Sequence, residues 1–128
     1  MGRDAEDAAH RFLQSKGMRI VARNYRTRTG AAEVDLVAMD GSTLVFVEVK
    51  SRATSEFGAP DRAIDDAKRR KVLYGAIDFL HRCPQRPAGG IRFDVVSIVA
   101  GERPEIVHFR NAFRAEEQAL GGRNGNAR

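Results

Sequence analysis

Hydrophobic residues change their spacing along the chain, and each change marks an element. Ala5, Ala8, Ala9, Phe12 and Leu13 recur at three- and four-residue intervals, the stripe of an amphipathic helix. Asp4 reads as its cap, and Gly17, after Lys16, as its stop. Met18 to Tyr25 reads as a first strand, followed by the basic connection Arg26-Thr27-Arg28-Thr29-Gly30. Glu33 to Met39 reads as a second strand, and Asp40-Gly41 is a hairpin signal. Thr43 to Arg52, Thr-Leu-Val-Phe-Val-Glu-Val-Lys-Ser-Arg, is rich in β-branched and aromatic residues and reads as a strand buried on both faces. Ala53 to Asp65 is irregular, broken by Gly58 and Pro60. Asp65 or Asp66 then caps a second helix to about Arg82, with Leu73, Ala76, Ile77 and Leu80 as its core face. Pro84 to Gly90 is a loop, Ile91 to Val99 a strand with Asp94 inside it, and Glu105 to Phe109 a short edge strand.

This order predicts an α/β domain with an αβββαβ core, a mixed central sheet flanked by helices. The helix between the third and fourth strands suits a right-handed parallel crossover. Residues 1–113 form one domain on this reading; residues 114–128 are a polar tail, expected to be disordered from Ala119 onward.

Composition narrows the partners. A formal net charge of +5 on 128 residues favours an anionic partner, nucleic acid first, although solubility alone would also account for it. The single cysteine, Cys83, excludes an internal disulfide and a thiolate metal cluster, which fits a cytoplasmic protein. No apolar run approaches the ~18 residues that span a bilayer, and the polar N-terminus is no secretory signal, so no membrane is expected.

The third strand carries an anomaly. Glu48 and Lys50 interrupt its apolar run, and residues two apart on a strand share a face. With a two-residue turn at Asp40-Gly41, Asp35 faces Phe46 and Glu48 is its diagonal neighbour. With a four-residue turn from Asp40 to Thr43, Asp35 lies directly opposite Glu48. Either register puts Glu33, Asp35, Glu48 and Lys50 on one face, whereas a three-residue loop would separate them. Two carboxylates so placed form a hard-oxygen site suited to Mg²⁺, and Lys50 would position water or offset charge in phosphodiester hydrolysis. An acid two residues before a lysine is by itself a common pattern. The plainer alternative pairs Glu48 with an arginine, sends Lys50 outward and leaves Asp35 to cap a loop. Glu6, at the edge of the first helix's stripe, is either a site acid or a first-turn acid favoured by the helix dipole. The run Lys68-Arg69-Arg70-Lys71 reads as a solvated face.

Asn24-Tyr25-Arg26, Glu33-Val34-Asp35-Leu36-Val37-Ala38, the block Thr43 to Arg52, Phe57-Gly58, Lys68 and Arg92-Phe93-Asp94-Val95-Val96 together resemble the YraN family of small bacterial proteins. That family is similar in fold to the restriction-endonuclease-like PD-(D/E)xK nucleases, including Holliday-junction resolvases. The resemblance implies Asp35, Glu48 and Lys50 as catalytic residues, with Asp35, Glu48 and Glu6 holding Mg²⁺ or Mn²⁺. Two departures stand out: Ala31-Ala32 separates Gly30 from Glu33, where the family runs glycine directly into the acid, and Ala5 stands where glycine is usual.

The leading expectation is therefore a metal-dependent endonuclease acting on DNA, branched or junction DNA included. Arg23, Arg26, Arg28, Arg52 and Lys68 would contact phosphates, which position a nucleic acid without reading its sequence. Cutting two strands would call for a homodimer, although no seam for one is legible. The alternatives are a catalytically silent nucleic-acid-binding protein that keeps the fold, and a scaffold protein whose acids are structural.

Overall fold

The computed structural model describes residues 3–52, 66–83 and 86–114. The elements run α1 (Arg3–Ser15), β1 (Arg19–Arg26), β2 (Glu33–Asp40), β3 (Thr43–Arg52), α2 (Asp66–Arg82), β4 (Ile91–Val99) and β5 (Glu105–Phe113). The five strands form one sheet in sequence order. All neighbours are antiparallel except β3 and β4, which run parallel on either side of the α2 crossover. The expected mixed α/β architecture is thus present, with one further strand at the edge. The irregular stretch Ala53 to Asp65 and the tail beyond 114 lie outside the described residues.

The sheet separates two cores. Leu44 and Phe46 of β3 face α2 and pack with Val72, Leu73, Ala76, Phe93 and Val95. Val45, Val47 and Val49 face α1 and pack with Ala9, Leu13, Val96 and Ile98. A strand buried on both faces needs apolar residues at both parities, which the composition of β3 supplies.

Several local expectations shift. Asp4 lies inside the first turn of α1, where a carboxylate still meets the positive end of the helix dipole. Gly17 ends the helix with φ +92°, and the Met18 amide donates to the Leu13 carbonyl. On α2, Ile77 is 42% exposed rather than core-facing. The buried stripe runs through Val72, Leu73, Gly75 and Ala76 instead, with Phe79 and Leu80 packed beside it, so Ile77 falls off its edge. Strand β5 extends to Phe113, past the expected end at Phe109. A register shift opposite Asp94, with Asn111 at φ +55°, lets the strand continue until Phe113 stacks on Phe93.

The hairpin fixes the site. Asp40 pairs with Thr43 across Gly41-Ser42, and Leu36 pairs with Val47. Gly41, at φ +62°, takes the first central position of the turn, where primed turns favour glycine. The loop is thus two residues long, as in the first register considered, but displaced by one residue along the chain. The paired ladder ends at Leu36–Val47; carried one residue further, this register would set Asp35 opposite Glu48, as the longer turn would have done.

Candidate functional site

Strand β2 is distorted where it carries Asp35. Val34 and Val37 both belong to the α2-side core, so the simple alternation of a strand breaks between them. Across from this break is Asn24, between the pairs Arg23–Leu36 and Tyr25–Val34, with φ +50°. Asparagine tolerates this left-handed conformation better than most residues. The Asp35 carboxylate takes over a backbone role there: its Oδ2 accepts a 2.8 Å hydrogen bond from the amide of Val49.

Asp35 and Glu48 are both buried, 4% and 3% exposed. They line a cleft of about 200 Å³ closed by Gly30, Ala31 and Ala32 of the β1–β2 loop and by Lys68, Lys71 and Val72 of α2. Burial raises the pKa of Asp35, and the charge of Glu48 raises it further, to about 7. Lys68 Nζ stands 2.8 Å from Glu48 Oε2, and that hydrogen bond raises the lysine's pKa. One carboxylate therefore has an ammonium partner, and its neighbour resists ionisation.

Lys68, expected as a phosphate contact, is paired with Glu48 across the sheet–helix junction. Lys50 lies on the α2 side of β3, partly buried and in register with Ser97 of β4. Glu6 is buried, but its carboxylate is engaged by Arg23 at 3.4 Å and by Asn24 Nδ2 at 3.1 Å. Arg23 also donates to Asp7 at 2.8 Å, so two acids of α1 already surround this expected phosphate contact. Among the described residues, no group of three or more His, Cys, Asp and Glu side chains could hold a metal ion. Glu6 is thus not grouped with Asp35 and Glu48 in this structure. Arg26 pairs with Glu33 at 3.3 Å, Arg28 lines a separate groove beside the cleft, and Arg52 is partly buried at the end of β3.

Sequence reasoning missed Lys71 as a lining residue. Its only signal was membership of the basic run on α2, which reads as solvent-facing until the crossover carries it over the strand ends. Arg69 of the same run is not simply solvated either: its guanidinium lies 5.5 Å from the Phe113 ring centroid.

The sequence model of the family described as "Uncharacterised protein family UPF0102" matches residues 5–98. The chain belongs to the UPF0102 family. A UPF0102 protein of Solibacter usitatus is 46% identical over 112 residues, covering 88% of this chain and 84% of the relative. One from Rhodococcus jostii is 44% identical over 115 residues, covering 88% and 95%. One from Desulfosudis oleivorans is 46% identical over 114 residues, covering 89% of each. UPF0102 is the family to which the YraN-like motif block pointed. The match spans α1 through most of β4, so it includes every residue of the acidic cleft. Among the described residues of this UPF0102 chain, no helix is long and apolar enough to cross a membrane.

Proposed function

We propose that this UPF0102 protein is a metal-dependent endonuclease of the PD-(D/E)xK type, hydrolysing phosphodiester bonds in DNA, branched DNA included. The observation that carries the reading is the convergence of the buried Asp35 and Glu48 carboxylates on one solvent-reachable cleft. Folding gains nothing from two neighbouring buried carboxylates, one of them held near pKa 7, unless something positive joins them. Lys68 already shows that the cleft attracts a cation. Two carboxylates, with waters and phosphate oxygens completing the shell, are an ordinary donor set for Mg²⁺ and serve Mn²⁺ as well. Asp35 and Glu48 would hold the ion, which would offset negative charge building on the phosphoryl group.

The chain's own groups supply the rest. The Val49 amide orients Asp35 through its Oδ2. Lys71, together with Lys68 once an ion takes over Glu48, would offer positive charge to a phosphate at the cleft wall. Lys50, on the same side of β3, would orient the attacking water or stabilise charge on the leaving oxygen.

One feature favours a second reading, a nucleic-acid-binding protein without cleavage: the 2.8 Å Lys68–Glu48 pair satisfies one carboxylate without any metal. Incubation of linear, single-stranded and four-way-junction DNA with Mg²⁺ and with Mn²⁺ separates the two. Cleavage that disappears in both Asp35→Ala and Glu48→Ala supports the nuclease. Cleavage that survives both changes removes the assignment, and salt-sensitive binding with no cleavage selects the second reading.

A further inference from the structure

A second hollow adjoins the acidic cleft. Its volume is about 350 Å³, and it shares Ala31 and Ala32 with the cleft as a common wall. Thr27, Arg28 and Thr29 of the β1–β2 loop form one side, and Tyr74, Ile77 and His81 of α2 the other. The loop is tied in shape: the Ala32 amide donates to Thr27 Oγ1 at 3.3 Å, and the Ala31 amide to Thr29 Oγ1 at 3.2 Å. Across it, Tyr74 is 57% exposed and Ile77 42% exposed. Asp78 also lines the hollow, but it accepts from the Tyr25 hydroxyl and pairs with Arg82 at 3.3 Å. Its charge is therefore compensated, and Arg28 adds positive charge to the rim.

Helical geometry connects the two hollows. Lys71, Tyr74, Asp78 and His81 follow three- and four-residue steps and share one face of α2. Lys71 lines the cleft, while Tyr74 and His81 line the second hollow. A chain entering along this face passes the acid pair and then the tyrosine ring.

We propose that this hollow binds an unpaired nucleotide flanking the scissile phosphate, with its base stacked on Tyr74 and its phosphate near Arg28. The inference rests on the reading that the acidic cleft receives DNA, and it specifies the substrate: DNA with a single-stranded segment beside the cut. The hollow falls in the size range of concave sites for small organic groups. A base within a duplex has both faces covered by its neighbours, whereas an unpaired base offers a face to an aromatic side chain. The mixture of one exposed aromatic ring, hydroxyls and an arginine suits that ligand. A flat apolar protein contact would require a wider apolar surface than Tyr74 and Ile77 offer.

The test measures binding in EDTA, in an Asp35→Asn background, so that cleavage plays no part. Labelled single-stranded DNA, blunt duplex and overhang duplex are titrated with the background protein and with added Tyr74→Ala or Tyr74→Phe. The preference for single-stranded and overhang DNA over blunt duplex is expected to fall about tenfold or more in Tyr74→Ala and to survive in Tyr74→Phe. A 5-iodouracil oligonucleotide is expected to crosslink to Tyr74. An unchanged preference in Tyr74→Ala with no crosslink there overturns the proposal, as does a Tyr74→Ala effect confined to the protein's own oligomeric mass. Tyr74-dependent binding by a protein that never cuts DNA would leave this inference standing while the nuclease reading falls. Metal-dependent cleavage without a Tyr74 effect would do the reverse.

Discussion

Asp35 keeps its proton in the folded protein until about pH 7, because burial and then the charge of Glu48 oppose ionisation. An unfolded aspartate ionises near its ordinary value of 3.8. Between those values the native state binds more protons than the unfolded chain, so stability falls as pH rises. The stabilising contribution is full below the unfolded pKa and is lost as pH passes through the folded one. The loss by pH 8 is on the order of a few kcal/mol. Asp35→Asn retains an oxygen for the Val49 amide and carries no charge. Thermal melts of the variant are therefore expected to show a smaller decline from pH 5 to pH 8 than the wild type, and a higher Tm at pH 8. Mg²⁺ should raise the wild-type Tm at pH 8 and leave the variant's nearly unchanged, since a ligand stabilises only the state that binds it. Equal pH slopes in both proteins would contradict this account. Much of this residue-scale chemistry was legible: Asp35, Glu48 and Lys50 announce themselves as charges inside apolar runs. The partner of Glu48 was not, because Lys68 is twenty positions away and reaches it only after α2 folds over the strand ends. The bonds that occupy Glu6 and Arg23 were hidden for the same reason.

At the level of elements, the cleft depends on how closely α2 sits on β2. A Cβ built on Gly75 would lie 2.7 Å from Val34 Cγ2. Val34 is fully buried and β-branched, so its methyl group has little freedom to retreat. Gly75→Ala gains about 1 kcal/mol of helix propensity, against about 1–3 kcal/mol for overpacking. The expected result is a lower Tm, with Lys68 and Lys71 displaced along with the helix. Adding Val34→Ala should remove the overpacking, so that Gly75→Ala stabilises in that background. A double-mutant cycle in denaturant measures this coupling, and a value near zero would show that α2 approaches β2 less closely than the geometry requires. The elements themselves were largely readable from periodicity: β3 runs from Thr43 to Arg52 as its composition indicates, and α2 ends at Arg82. The turn sits one residue later than the Asp40-Gly41 reading, because Asp-Gly can occupy either the turn or its edge, and the resulting register is the one the four-residue turn would give. The glycine's positive φ decided the matter here, placing Asp40 in the ladder. Ile77 was misassigned because a stripe counted from Leu73 and Ala76 admits two continuations, and packing against Phe46 and Tyr25 selects Phe79.

Across the whole molecule, the two faces of the sheet treat buried acids in opposite ways. Asp94, fully buried on the α1 side, accepts from Arg92 at 2.9 and 3.0 Å and from the Asn111 amide at 2.9 Å, and lies 2.7 Å from His108 Nε2. Burial alone would raise its pKa, but the bonds from His108, Arg92 and Asn111 outweigh burial and lower it. Its stabilising contribution is present above the unfolded pKa and is lost as pH falls through the folded one, the reverse of Asp35. The network also joins β4 to edge strand β5, and Arg92 continues it to Asp40 at the hairpin. Asp94→Ala leaves Arg92 and the Asn111 amide without this acceptor, at a cost of about 3–5 kcal/mol. Asp35→Asn should stabilise the protein at pH 8. Among the described residues the two sites share no hydrogen-bond partner, so their effects should add within about 0.5 kcal/mol in the double variant. Denaturant unfolding at pH 8 checks this, and strong coupling between the sites would mean that the sheet transmits strain from one face to the other. Additivity would mean that one buried acid stabilises the fold while the other strains it for the sake of the cleft, so the cleft's charge can be altered without loosening the β5 edge.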